Sequence, residues 1–165
     1  MDAQAKNSDT FSHIAGKYLT FALASEEYAL PILKVDEIIG TMHVTQVPGN
    51  PPYMKGVINL RGKMIPVIDL RIKLGLDEAQ YNEKTCTIVI NLNAGDKIVH
   101  LGVIVDTVLE VVNYTGHDVE PAPNYGSGLQ TPFIMGMGRN SNGQVTILLD
   151  IDKALADTLP STSLS

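Results

Sequence analysis

Tryptophan is absent, cysteine occurs once, and aromatic residues of any kind fill only 5% of the 165 positions. A lone thiol, Cys86, closes no internal disulfide, and four scattered histidines without a second cysteine give no zinc-ligand spacing. A reducing compartment and a metal-free fold are expected. Basic runs are missing too: 12 Lys and Arg stand against 18 Asp and Glu, and the formal charge is −6. Cations spread singly cannot neutralise a row of phosphates, which argues against nucleic acid and anionic membrane surfaces as partners. No apolar stretch approaches the roughly 20 residues of a membrane span, and residues 1–16 lack the basic start and apolar run of a signal peptide. The expected location is the cytoplasm.

What remains is 44% hydrophobic and 18% charged, the composition of a folded globular protein. Its patterns are short and alternate with period two, as in Lys17 to Leu23, where Leu19, Phe21 and Leu23 share one face of a strand. Similar runs, rich in Val, Ile and Thr, cover residues 28–32, 42–47, 56–60, 64–69, 85–92, 98–105, 108–114, 133–137 and 144–150. About ten strands are expected. Tight turns are predicted at Leu60-Arg61-Gly62-Lys63, Asn93-Ala94-Gly95-Asp96 and Asn140-Ser141-Asn142-Gly143, each of which supplies a residue tolerant of positive φ. Helical periodicity is confined to residues 33–39, 70–74 and 151–159. The polar, small-residue ends suggest mobile tails at 1–16 and 158–165 around one domain at 17–157.

A weak internal repeat runs through the chain. Gly62-Lys63-Met64-Ile65-Pro66-Val67-Ile68-Asp69-Leu70 can be laid on Gly143-Gln144-Val145-Thr146-Ile147-Leu148-Leu149-Asp150-Ile151. In both, a turn glycine leads into an apolar strand that ends at Asp before a short helix. About five strands per half suit two small barrels better than one large sandwich, because closure removes exposed edges.

Catalytic chemistry is hard to assemble. Gly126-Ser127-Gly128 lies in a Pro-rich loop without the strand-to-helix context of a nucleophile elbow, and Cys86 opens an apolar strand as a buried, inert thiol would. No two histidines have helical metal-pair spacing, and the glycines of Ile134-Met135-Gly136-Met137-Gly138 lack the pattern of a phosphate-cradling loop. Asp69 and Asp150 end equivalent strands just before helices, where a carboxylate serves as an N-cap. No cofactor is implied. A generic binder of Pro-rich peptides would need an aromatic-lined groove, which three Phe and six Tyr scarcely furnish.

The densest signal is Lys55-Gly56-Val57-Ile58-Asn59-Leu60-Arg61-Gly62-Lys63-Met64-Ile65-Pro66-Val67-Ile68-Asp69-Leu70-Arg71. Physically it is a strand, a turn that holds the Arg61 cation outward, and a return strand whose Pro66 suits an edge or bulge. This stretch resembles the signature of the CheW family, shared with the regulatory domain of the CheA kinase and with CheV proteins. The likeness continues through Glu27 to Ile38, Gly102 to Asp106 and Pro121-Ala122-Pro123, and spans about residues 15–157. It implies an all-β fold of two packed five-stranded SH3-like barrels with short connecting helices, and no enzymatic activity. The length suits a stand-alone coupling protein, without room for the receiver domain of CheV or the kinase domains of CheA.

The same resemblance implies a chemotaxis adaptor that binds the CheA regulatory domain and the helical cytoplasmic tip of chemoreceptors. By it, the receptor tip would lie in a groove between the barrels, at Val35, Glu37, Arg61, Val108 and Val111. Glu37 and Arg61 have the charges to pair with each other. Glu120 and Tyr125, around the Pro121-Ala122-Pro123 loop, fall at a candidate kinase contact, although Glu120 stands where some relatives carry a basic residue.

Overall fold

A computed structural model of the chain describes residues 13–40, 42–121 and 133–158. The expected tails fall largely outside these residues. Eleven strands are present among them: β1 (Gly16–Leu23), β2 (Glu26–Pro31), β3 (Val35–Ile39), β4 (Met54–Leu60), β5 (Lys63–Asp69), β6 (Cys86–Ala94), β7 (Lys97–Val105), β8 (Thr107–Tyr114), β9 (Val119–Glu120), β10 (Ile134–Arg139) and β11 (Val145–Leu149). Two short helices, α1 (Leu70–Lys73) and α2 (Ile151–Ala154), follow β5 and β11. The strands form a six-stranded sheet, β8-β1-β2-β11-β10-β9, and a five-stranded sheet, β3-β6-β7-β5-β4. The all-β expectation holds, with a sixth strand in one sheet because the two-residue β9, too short to show a period, pairs with β10.

The chain divides into two compact units. The first comprises the described parts of Met1–Thr20, Glu27–Ile32 and Glu110–Ser165, and the second comprises Phe21–Glu26 and Leu33–Leu109. In the first, Ile14, Tyr18, Ala29, Tyr114, Val119 and Leu148 build a buried cluster in which the Tyr18 and Tyr114 rings meet edge-to-face. The Tyr18 hydroxyl donates to the Ile14 carbonyl at 2.6 Å, and burial pushes its pKa up to about 12. In the second, Ile58, Leu60, Ile65, Val67, Val89 and Ile104 form the corresponding core.

The repeat read from sequence is structural. Each unit contains an antiparallel hairpin, β4–β5 or β10–β11, whose second strand pairs in parallel with an earlier or later strand, β7 or β2. Asp69 and Asp150 each cap the following helix, accepting from Ile72 and Lys153, and each donates its own N–H at 2.7 Å to the residue ahead of the hairpin, Tyr53 or Phe133. Both hairpins carry a bulge, between Met54 and Gly56 and between Ile134 and Gly136. At Gly56 a Cβ would lie 2.0 Å from the Thr45 carbonyl oxygen, and at Gly136 it would lie 2.5 Å from that of Glu120. Only glycine admits such an approach.

Four expectations need correction. Residues 33–39 contain no α-helix: a single 3-10 turn, Ile32–Lys34, leads into β3, which pairs with β6. Val35, Ile38 and Ile39 are β-branched, and pairing with a neighbouring strand outweighs the helical spacing. The strand expected at 42–47 shrinks to one bridge, Thr45 to Val57. Pro66 lies in β5, an interior strand. Its neighbour across β4, Val57, directs both backbone groups to Thr45, and the β7 ladder begins only at Val67, so Pro66 sits where no partner needs its missing N–H. Cys86 is half-buried rather than buried, with its thiol donating to the Lys84 carbonyl at 3.3 Å.

One clamp organises the second unit. The β1–β2 turn has positive φ at Ala24 and Ser25, 51° and 77°, a conformation that usually calls for Asn and Gly. Asp106 holds it: its N–H donates to the Ala22 carbonyl, and its Oδ2 accepts from the Ala24 N–H at 3.0 Å. Arg71, from α1, binds the same carboxylate through Nε and Nη2 at 2.7 and 2.6 Å and holds its pKa below the ordinary carboxylate range. The lowered pKa contributes stability that is complete above about pH 4 and is lost as pH falls through the folded value. Replacing Asp106 with Ala is expected to cost about 2 kcal/mol at pH 7. Urea unfolding between pH 7 and pH 2 should show the wild-type lead shrinking below pH 4.

Candidate functional site

Arg61 and Gly62 occupy the two central positions of the β4–β5 turn, with φ of 50° and 87°, the signature of a type I′ hairpin. The turn is braced by the Gly62 N–H donating to Asn59 Oδ1 at 2.9 Å and by pairing of Leu60 with Lys63. This geometry carries the Arg61 side chain into solvent, with 71% of it exposed. The cation is not free. Both guanidinium Nη atoms donate to the carboxylate of Glu37 on β3, a two-pronged pair. Hydrogen bonding from Arg61 holds the Glu37 carboxyl below its ordinary range, and the carboxylate in turn raises the guanidinium. So exposed a pair does little for stability and much for direction.

Glu37 opposes Val89 on β6, and the register slips by one residue between Val35 and Glu37. Beside it lies a cavity of about 300 Å³ with a floor of Leu60, Ile65 and Val89, and a rim of Asp36, Glu37, Arg61, Lys63 and His100. Asp36 accepts from Asn91 at 2.9 Å through Oδ1 and meets His100 Nδ1 at 2.6 Å through Oδ2. An apolar floor under a rim of both charges can take a side chain from another protein. Among the described residues no three His, Cys, Asp or Glu side chains form a metal-binding group, and no buried side-chain polar atom lacks a partner.

The other residues singled out by sequence fall in varied places. Val35 is half-buried at the start of β3, and Val108 is half-buried on β8. Val111, further along β8, is 54% exposed and belongs to the first unit, whereas Val35, Glu37, Arg61 and Val108 belong to the second. Glu120 is exposed at the end of β9 and pairs with Arg139 of β10 at 2.8 Å, a cation supplied from within the chain. Tyr125 lies outside the described residues.

A family model described as the CheW-like domain matches residues 17–159. The chain belongs to this family. The chemotaxis protein CheW of Klebsiella aerogenes is 40% identical over 89% of this chain and 89% of its own length. That of Helicobacter pylori is 36% identical over 80% and 77%. Among solved structures, the scaffolding protein TtCheW from Thermoanaerobacter tengcongensis is 31% identical, with a TM-score of 0.71 over 82% of this chain and 88% of its own. These likenesses support a chemotaxis scaffold or adaptor built of two SH3-like β units, and the names the relatives carry are those of chemotaxis and scaffolding proteins, not of enzymes.

Within this CheW-like frame, sequence reading had paired Glu37 with Arg61 but passed over Asp36, Asn91 and His100. The available signal was the run Val35-Asp36-Glu37, two adjacent carboxylates in a strand, which puts both on one side only if the strand bulges. The measurable consequence of the Glu37 pairing is a carboxyl titration. In Arg61→Ala, the NMR-detected Glu37 titration is expected to move up toward the ordinary carboxylate range.

Proposed function

We propose that the protein is a non-catalytic adaptor that couples chemoreceptors to the histidine kinase CheA, by binding the kinase regulatory domain and the cytoplasmic receptor tip. The observation that carries this reading is the match of the CheW-like family to residues 17–159, with Arg61 exposed on a braced turn at the centre of the matching hairpin. Val35, Glu37, Arg61, Val108 and Val111 are assigned to the receptor, and Glu120 and Tyr125 to the kinase. The working part is the domain at 17–157. Among the described residues no helix is long and apolar enough to cross a membrane, and a place in the cytoplasm, beside receptor tips, suits the assignment.

Electrostatics supports the role given to Arg61. A rigid, exposed guanidinium offers directed donors without the entropy cost of ordering a long side chain on binding. Reversing its charge leaves Gly62 and the buried core untouched, so the thermal midpoint should stay within about 2 °C of the wild type. Docking should suffer far more, since an attraction becomes a repulsion and Glu37 then faces a second carboxylate.

The test is binding to a purified receptor-tip fragment and to the isolated CheA regulatory domain, with receptor-dependent kinase activation as the second readout. Arg61→Glu is expected to weaken tip binding at least about ten-fold while leaving kinase-domain binding intact. Glu37→Arg combined with Arg61→Glu should recover part of the loss, a non-additivity that a double-mutant cycle reads directly. Wild-type coupling in Arg61→Glu would refute the assignment.

A further inference from the structure

We propose that Asp36, gripped by Asn91 and His100, is a positioning residue for the receptor-facing surface, and that the charge of His100 sets how firmly the grip holds. The inference rests on the coupling reading above. In a regular strand, Asp36 and Glu37 would face opposite sides of the sheet. The slip in register between Val35 and Glu37 turns both carboxylates onto the wall of the same cavity of about 300 Å³.

A bulge lacks some of the ladder hydrogen bonds that would keep it in place, and here side chains replace them. The Asn91 amide donates to the Leu33 carbonyl at 3.1 Å and to Asp36 Oδ1 at 2.9 Å, which ties the 3-10 turn to the bulge. His100 Nδ1 reaches Asp36 Oδ2 at 2.6 Å. Asn91 and His100 are themselves cross-strand partners on β6 and β7, so both grips come from one register position of a nine-residue hairpin ladder. The next residue after Asp36 is Glu37, the acceptor for Arg61. Loosening Asp36 therefore loosens the carboxylate that aims Arg61.

His100 makes the grip adjustable. An imidazole ordinarily changes charge between about pH 5 and 8. Neutral, it gives Asp36 one hydrogen bond; protonated, it adds an ion pair. The other charged groups on the same cavity are Glu37 from β3, Arg61 from the turn and Lys63 from β5. Glu37 and Arg61 are engaged with each other, which leaves Asp36 as the anion in contact with His100. Acidification should thus tighten the bulge and favour docking. The gain is modest because His100 is 43% exposed and Asp36 33%.

The experiment measures affinity for a purified receptor-tip fragment between pH 8 and 5.5, using full-length wild type, His100→Gln, Asp36→Asn and Asp36→Ala, with thermal midpoints to confirm folding. Wild-type affinity is expected to rise about two- to five-fold on acidification. His100→Gln and Asp36→Asn should lack that rise. Asp36→Asn keeps an acceptor for Asn91 and offers an amide to His100, so it should stay near wild type at pH 8, while Asp36→Ala binds about five-fold more weakly or worse. A rise that His100→Gln retains, a flat wild-type profile, or Asp36→Ala at wild-type affinity would overturn the inference and leave the coupling reading intact. A wild type that binds no receptor tip at any pH would overturn both.

Discussion

The approach of Gly56 to Thr45 is the constraint on which the β4–β5 hairpin depends. A bulge in β4 turns Val57 toward Thr45, and the two residues exchange both backbone hydrogen bonds at 2.8 and 2.9 Å. The close contact leaves no room for a Cβ, and the positive φ of 142° at Gly56 is one that a side chain resists. With that side of β4 committed to Thr45 at Val57, the other side pairs with β5 all the way to the Arg61–Gly62 turn. The turn is as rigid as the ladder beneath it. The first unit repeats the device, with Gly136 pressed against Glu120 and β9 in place of the Thr45 bridge, so the constraint belongs to the repeated motif and not to one loop.

The two units share strands through the covalent chain: β1 and β8 each begin in one unit and end in the other. The Ala24-Ser25 turn between β1 and β2 lacks the residues that would hold its positive φ angles unaided. Asp106 supplies the hold, and Arg71 supplies the charge that keeps Asp106 ionised. Arg71 also donates to the Asp77 carbonyl at 2.9 Å, fixing the segment that follows α1, where Tyr81 reaches back to Asp69 at 2.7 Å. Three stretches distant in sequence, 22–24, 69–81 and 106, thus converge on one arginine and two aspartates. The single charged contact is stronger here than on the surface because Arg71 is only 17% exposed.

How much of this was legible in the sequence follows from the range of each interaction. Period-two strands, tight turns and the Asp caps are local, and Gly62 to Leu70 against Gly143 to Ile151 disclosed the repeat that the hydrogen bonds of Asp69 and Asp150 bear out. Where a segment's state is decided by a distant neighbour, local reading failed: residues 33–39 have helical spacing but become a strand because β6 offers a ladder. β9 was missed for the same reason, being two residues that exist as a strand only through β10. The Glu37–Arg61 pair could be suspected from complementary charge, whereas Asp36, Asn91 and His100 could not, since a bulge and a cross-strand register had to bring them together.

The surface has a consistent electrical character. Glu37 with Arg61 and Glu120 with Arg139 are ion pairs, and Asp36 with His100 a hydrogen-bonded pair, between different strands or turns at the surface, and none adds much stability. What they do is set the directions of charged groups before any partner arrives. For an adaptor this has two effects. The entropy cost of ordering long side chains is met during folding and not at the interface, which favours association. And a partner must present charges that match an existing arrangement, because breaking a pair that is already made offsets much of the gain from a new one, so the wrong partner is rejected more strongly than the right one is held. Binding that must be specific is better served by such pre-paired charges than by a large apolar face, which would bind tightly with little discrimination.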